Sequence, residues 1–220
     1  MDPDARRRAL QQLKAGHAPF SYGPLRKHMP DVMHAQPPLV RTPDVSWEVL
    51  KPTIVADCKT EEEATSNTDA GKLLYDWVRG EGYEVIQEDF DRFPLGIGDY
   101  VSYWANAVLV RGDELLLTCH DFRRSGGYTD IGRLFAFSVM HAHIRELRHD
   151  LREARLAVLQ FEQKPRSSRI IRVSYADGAT LLSYDAIIRM AVETYATWRE
   201  VLEERADAAR RTGTDDDWWG

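Results

Sequence analysis

Only two cysteines, Cys58 and Cys119, stand in the 220 residues of this chain. Neither has a second cysteine close by in sequence, which excludes a thiolate zinc framework and, in a reducing compartment, a disulfide. Long apolar runs are missing too. No stretch approaches the roughly eighteen apolar residues of a membrane span, and the arginine-rich opening MDPDARRRALQQLKAG lacks the apolar run of a signal peptide, so the expected location is the cytoplasm. There is no basic excess: 29 Lys and Arg against 35 Asp and Glu leave a net charge of −6. That balance excludes a uniformly basic nucleic-acid binder but leaves room for a local basic face. No internal repeat is present. The glycines of GIGDY have no helix after them, which excludes a phosphate-cradling loop. What the chain has is 43% hydrophobic and 10% aromatic residues, enough for the core of one ordinary domain.

Three regions follow from the pattern: a helix and proline-rich arm over 1–59, a single α/β domain over 60–210 and a polar tail over 211–220. Residues 3–14 suit a short helix. In GHAPFSYGPLRKHMPDVMHAQPPLVRTPD the repeated prolines and glycines forbid regular helix or a central strand. From Thr60 a capping residue and an acidic first turn open a helix with Leu73, Leu74, Trp77 and Val78 at helical spacing. YEVIQEDF then alternates as a strand, YVSYWANAVLV and ELLLTCHDF form a hairpin, and TDIGRLFAFSVMHAHIRELR reads as a buried helix. ARLAVLQFE and RIIRVSY are strands, ATLLSY is a short strand or turn, and a long helix runs from Asp185 to about Ala209. A meander, a crossover helix and a further strand make a mixed α/β sheet flanked by helices, with strand 114–121 beside and parallel to strand 155–162.

If Gly112 and Asp113 are the centre of a two-residue hairpin, Arg111 faces Glu114 and Asn106 lies opposite Cys119. Alternation then places Asn106, Asp121 and Arg123 on one face, with His120 and Phe122 on the other. A slip of one residue separates them.

With its ANAVLV and DFR segments and its α-β-β-β-α-β order, the region 60–162 resembles the PD-(D/E)XK, or restriction-endonuclease-like, superfamily. That superfamily carries an Asp at the start of the second strand and a Glu or Asp two residues before a Lys at the end of the third. Here Asn106 stands in the first position and Arg123 in the lysine position. The resemblance implies a restriction-endonuclease-like fold and a metal-dependent DNA endonuclease or nuclease-like DNA-binding protein, in a mobile-element or defence setting. It also implies a site of Asn106, Asp121 and Arg123, with Mg²⁺ on Asp121 and a second carboxylate. Magnesium needs clustered oxygen ligands, and an Asn carbonyl brings no charge. Asp99 is the expected second ligand, with Glu84, Glu88 and the Glu61, Glu62, Glu63 run as alternatives. Arg123 stays protonated, so it suits charge stabilisation and not general-base work. VADCK, at 55–59, spells the motif more literally but precedes the helix, where the superfamily has none.

Arg124, Lys164, Arg166, Arg169 and Arg172 supply a basic cluster with no acid between Gln163 and Val173, which suits a DNA-phosphate rim; a solvated loop is the plainer account. Asp121 with Arg123 also reads as an ion pair ending a strand. His141 and His143, two apart on a helix, cannot converge on zinc. Cys119 is expected to be a buried structural thiol. The competing functional class is a catalytically silent scaffold or protein-interaction domain. The apolar stripe of Ile187, Met190, Ala191, Tyr195, Trp198, Val201 and Leu202 on the last helix would then carry a homodimer or partner contact, where the alternative is core packing.

Overall fold

The computed structural model describes residues 2–12, 21–102, 104–124, 126–163 and 168–212. In chain order the elements are α1 (Pro3–Gln12), α2 (Gly23–Lys27), α3 (Met29–Met33), β1 (Ala35–Gln36), α4 (Trp47–Ala56), α5 (Glu61–Gly80), β2 (Glu84–Gln87), β3 (Phe93–Pro94), β4 (Tyr100–Val101), β5 (Trp104–Arg111), β6 (Glu114–Asp121), α6 (Asp130–Met140), β7 (Arg155–Gln163), β8 (Arg169–Tyr175) and α7 (Tyr184–Thr212). Their ends follow local chemistry. The Thr60 hydroxyl accepts from the Glu63 amide at the start of α5, and Thr129 does the same for Gly132 at the start of α6. The ATLLSY segment forms no strand.

The proline-rich arm differs from its expectation, because it holds three short helices and a strand. Pro24 and Pro30 fall in the first turns of α2 and α3, where a missing N–H breaks no helical bond. Pro52 does lie inside α4, and packing of Leu50 and Ile54 holds that helix together across it. His34, in the left-handed region at φ 54°, ends α3 and turns the chain into β1.

Six strands form one mixed sheet in the order β1-β2-β5-β6-β7-β8. β1 runs parallel to β2, β6 parallel to β7, and the remaining neighbours are antiparallel. Strands 114–121 and 155–163 therefore pair in the expected direction. The mixed α/β class and the long last helix also stand. The chain does not run in the expected α-β-β-β-α-β order: the separate β3–β4 pair falls between β2 and β5, and β1 and β8 extend the sheet on both sides.

The hairpin register holds where the turn dictates it. Arg111 pairs with Glu114 and Val108 with Leu117, across a turn whose Gly112 has φ 59°. Beyond Val108 it fails: four residues of advance along β5 answer two along β6, so Trp104, and not Asn106, lies opposite Cys119. A bulge of this kind breaks the alternation on which the shared face of Asn106 and Asp121 rested.

Two apolar cores sit on the two faces of the sheet. One gathers Leu25, Val32, Leu50, Ile54, Leu74 and Phe161 under α2–α5; the other gathers Phe93, Leu117, Val139, Met140 and Ile187 under α6, α7 and the β3–β4 hairpin. Of the α7 stripe, Ile187, Ala191 and Val201 are buried in the chain itself. α1 is fastened to the same helix by Arg6–Glu193 at 2.6 Å and Arg7–Glu200 at 2.8 Å. Among the described residues no helix is long and apolar enough to cross a membrane.

Gly71, in the middle of α5, lies against side chains of both α2 and α4. A Cβ there would meet Leu25 Cδ1 at 3.0 Å and Trp47 Cη2 at 3.1 Å, both from buried side chains. Gly71→Val is expected to cost about 2 kcal/mol through overpacking, seen as a lower urea midpoint at unchanged slope.

Candidate functional site

The end of β6 is a closed corner. Asp121 is 5% exposed, and its carboxylate accepts from Arg123 Nε at 2.7 Å, Arg123 Nη2 at 2.9 Å and the Tyr128 amide at 2.8 Å. The Arg123 guanidinium stacks over the Tyr128 ring at 4.9 Å, and its bond to Asp121 holds it protonated more firmly than an ordinary arginine. These contacts tie the strand end to the loop that leads into α6. Asn106 is not part of the corner; it is exposed on the bulge and donates to Asp89 at 3.4 Å. Asp99 is exposed in the turn between β3 and β4, where its carbonyl accepts from the Leu95 amide. Among the described residues no three His, Cys, Asp or Glu side chains gather as a metal site. Cys119 is buried and its thiol is pushed up to about 12 by burial; both cysteines are free.

The described arginines of the basic cluster are committed to partners within the chain. Arg169 donates to the carbonyls of Phe161 at 3.1 Å, Ser66 at 3.4 Å and Phe122, and to the Tyr22 hydroxyl at 3.1 Å. Arg124 reaches Ser66 Oγ at 3.2 Å and Asp69 at 3.6 Å, and Arg172 pairs with Glu162 at 2.9 Å. Lys164 and Arg166 lie outside the described residues.

A different surface stands out after β1. Leu39 is 97% exposed and Val40 58%, the first of these being the most exposed large apolar side chain among the described residues. They follow Pro37 and Pro38 in a loop whose ends are fastened. Gln36, buried at the loop's base, accepts from the Thr42 amide at 2.7 Å through Oε1, and the Val40 amide closes a turn on the Pro37 carbonyl at 3.3 Å. Further along, Asp44 is gripped by Arg79 and lies 3.3 Å from His34 Nδ1; the Arg79 hydrogen bond holds its carboxyl below the usual range. Arg79 in turn donates to the Val32 carbonyl at 3.1 Å. An apolar tip on an anchored loop has lost much of its freedom before it meets anything, which lowers the ordering cost of burying it in a partner. Sequence reasoning passed over these two residues. The available signal was an apolar pair directly after two prolines, in a stretch unable to form a long helix.

Comparison with known proteins gives this geometry a context. A family described as "Sliding clamp-binding bacterial toxin SocB" matches residues 1–208. The "DNA replication inhibitor toxin SocB" of Caulobacter vibrioides (strain NA1000 / CB15N) is 42% identical over 217 residues, which is 99% of this chain and 91% of that protein. No solved structure matches. These findings overturn the restriction-endonuclease resemblance and, with it, the nuclease and hydrolase reading and DNA as the main partner; the alternative of a protein-interaction domain is the closer one. The DFR and ANAVLV segments that carried the resemblance are here a loop anchor and a bulge. Matched along nearly its whole length, the chain belongs to the SocB family of sliding clamp-binding bacterial toxins.

Proposed function

We propose that this chain is an inhibitor of DNA replication that acts by binding a bacterial sliding clamp, and that Leu39 and Val40 make the central contact. The family match supports the partner, and the exposure of Leu39 at 97% supports the place. A leucine left almost wholly in water gains about 2 kcal/mol when an apolar pocket takes it up. A few side chains seated in desolvated pockets carry most of the energy of a protein interface, and a fully exposed leucine is able to fill such a pocket. Once seated, the body of the chain covers the clamp around that pocket, and other proteins needing the same surface are kept off. No bond is made or broken in this reading. Inhibition scales with occupancy.

The test is direct binding of the purified chain to the sliding clamp by calorimetry, together with DNA synthesis in cells expressing the chain. Leu39→Ala is expected to weaken binding about 30-fold, the equivalent of about 2 kcal/mol, and to relieve the arrest of DNA synthesis. Its thermal unfolding stays that of the parent, because the side chain buries almost nothing in the free chain. Clamp binding at parental affinity in Leu39→Ala moves the contact elsewhere, and no clamp binding by the parent removes the function.

A further inference from the structure

Between the arm and the bulge of β5 lies a cavity of about 290 Å³. Its origin is in the sequence. Ala105 and Ala107 put small side chains on the sheet face where Leu109 and Leu116 fill the space further along, and both lie within the bulged part of β5. Met29 and Met33 of α3 and Phe122 after β6 wall the space, so the lining is largely apolar and, through the two methionines, adaptable. Leu39 and Val40 are not part of it, so its occupant is independent of the clamp contact.

Two polar groups of the lining have work undone. His120 is 6% exposed, and its Nε2 lies 3.0 Å from Thr118 Oγ1. Thr118 is wholly buried, and among the described residues His120 is its side chain's only hydrogen-bond partner. A hydroxyl hydrogen there has one acceptor to go to, the lone pair of Nε2, and that assignment puts the ring proton on Nδ1. Nδ1 has no hydrogen-bond partner among the described residues and His120 lines the cavity, so the ring keeps an uncommitted N–H donor at its wall. At the mouth stands Arg26, whose guanidinium makes no ion pair or hydrogen bond among the described residues, while its neighbour Lys27 is committed to Asp57 at 2.9 Å. Arg26 is close enough for its charge to oppose protonation of His120. Among the described residues no acidic side chain lines the cavity.

We propose that this cavity binds a small organic anion, a carboxylate with an apolar body, whose oxygens take the His120 Nδ1–H and the Arg26 guanidinium while its body lies against Met29, Met33 and Phe122. The chemistry selects the class. Two donors and no acid select against cations, the apolar walls select against a bare inorganic anion, and a volume at the low end of ligand pockets excludes a nucleotide. Neutral His120 meets the anion as a hydrogen-bond donor, and Arg26 supplies the charge.

The experiment uses the full chain with ¹⁵N-labelled histidine, titrated with benzoate, hexanoate and indole-3-acetate and, as controls, benzamide and inorganic phosphate. The expected result is saturable movement of the His120 signal with at least one carboxylate, and binding of benzamide and phosphate at least about tenfold weaker. Arg26→Gln, at an exposed position that does not threaten folding, should weaken the carboxylate about tenfold. Ala107→Met, which fills the space, should abolish it in a protein that still unfolds cooperatively. The proposal is overturned if none of the three carboxylates saturates below about 10 mM, if benzamide or phosphate binds as well as they do, or if Arg26→Gln leaves the affinity unchanged.

Discussion

Arg169→Ala is expected to lower the unfolding free energy by about 3 to 4 kcal/mol while leaving the described surface almost unchanged. Its guanidinium holds the carbonyls of Phe122, Phe161 and Ser66 and the hydroxyl of Tyr22, and so joins the ends of β6 and β7, α5 and the arm. Hydrogen bonds from a charged donor contribute about 1.5 to 3 kcal/mol, and removing the donor also strands the acceptors. The bonds share one side chain, so their loss falls short of the sum. Chemical denaturation would measure it, with Arg172→Ala as the comparison, since its single half-exposed pair with Glu162 is worth well under about 1 kcal/mol. Equal effects of the two substitutions would show that Arg169 is not the joint described above.

The same residue shows what the sequence conveyed and what it withheld. Arg169 stood in a run free of acids, and charge counting put it on a rim. Its partners are carbonyls from residues 8, 47 and 103 positions away and a hydroxyl 147 away, and no local pattern records them. Elements set by local periodicity were legible. The capped start of α5, the Gly112 turn and the parallel strands β6 and β7 all follow from spacing. What was lost depended on tertiary detail of one or two residues. β1 is two residues long and exists because β2 offers it an edge. The bulge between Trp104 and Val108 has no glycine or proline to mark it, yet it separates Asn106 from the Asp121 corner. The family was beyond the reach of motif reading for a related reason. The proposed contact, an exposed leucine and valine, carries no fixed set of chemical groups, whereas an aspartate near an arginine resembles a catalytic site wherever it occurs.

The Asp121 corner also explains why a site-like triad need not be a site. A carboxylate available to a metal or substrate keeps open lone pairs, but Asp121 has both oxygens bonded to Arg123 and one of them also to the Tyr128 amide. An uncommitted donor lies on the other face of the sheet, at His120, and the most exposed large apolar side chain among the described residues is Leu39.

Acid is expected to destabilise the protein through His120 before it reaches the carboxylates. Burial among Phe122 and Phe161, helped by the charge of Arg26, lowers the His120 pKa from 6.5 to about 4. The sign follows from the proton count. Between those values the unfolded chain binds a proton that the folded chain refuses, so unfolding is favoured as pH falls. The penalty is absent above about pH 7, grows through 6.5 and is complete near 4, where it amounts to about 3 kcal/mol at about 1.4 kcal/mol per pKa unit. The carboxyls of Asp44, Glu114 and Asp150, all held low by arginine partners, lose their contribution only below their ordinary values of 3.8 to 4.5. The interval from about pH 6.5 to 5 therefore reports His120 above all. His120→Gln keeps a polar side chain beside Thr118 but cannot titrate, and its unfolding free energy should be nearly flat across that interval while the parent's slopes upward with pH. Parallel pH profiles for the two proteins would mean that His120 takes up its proton in the folded state and that the ring is not held neutral at the cavity wall.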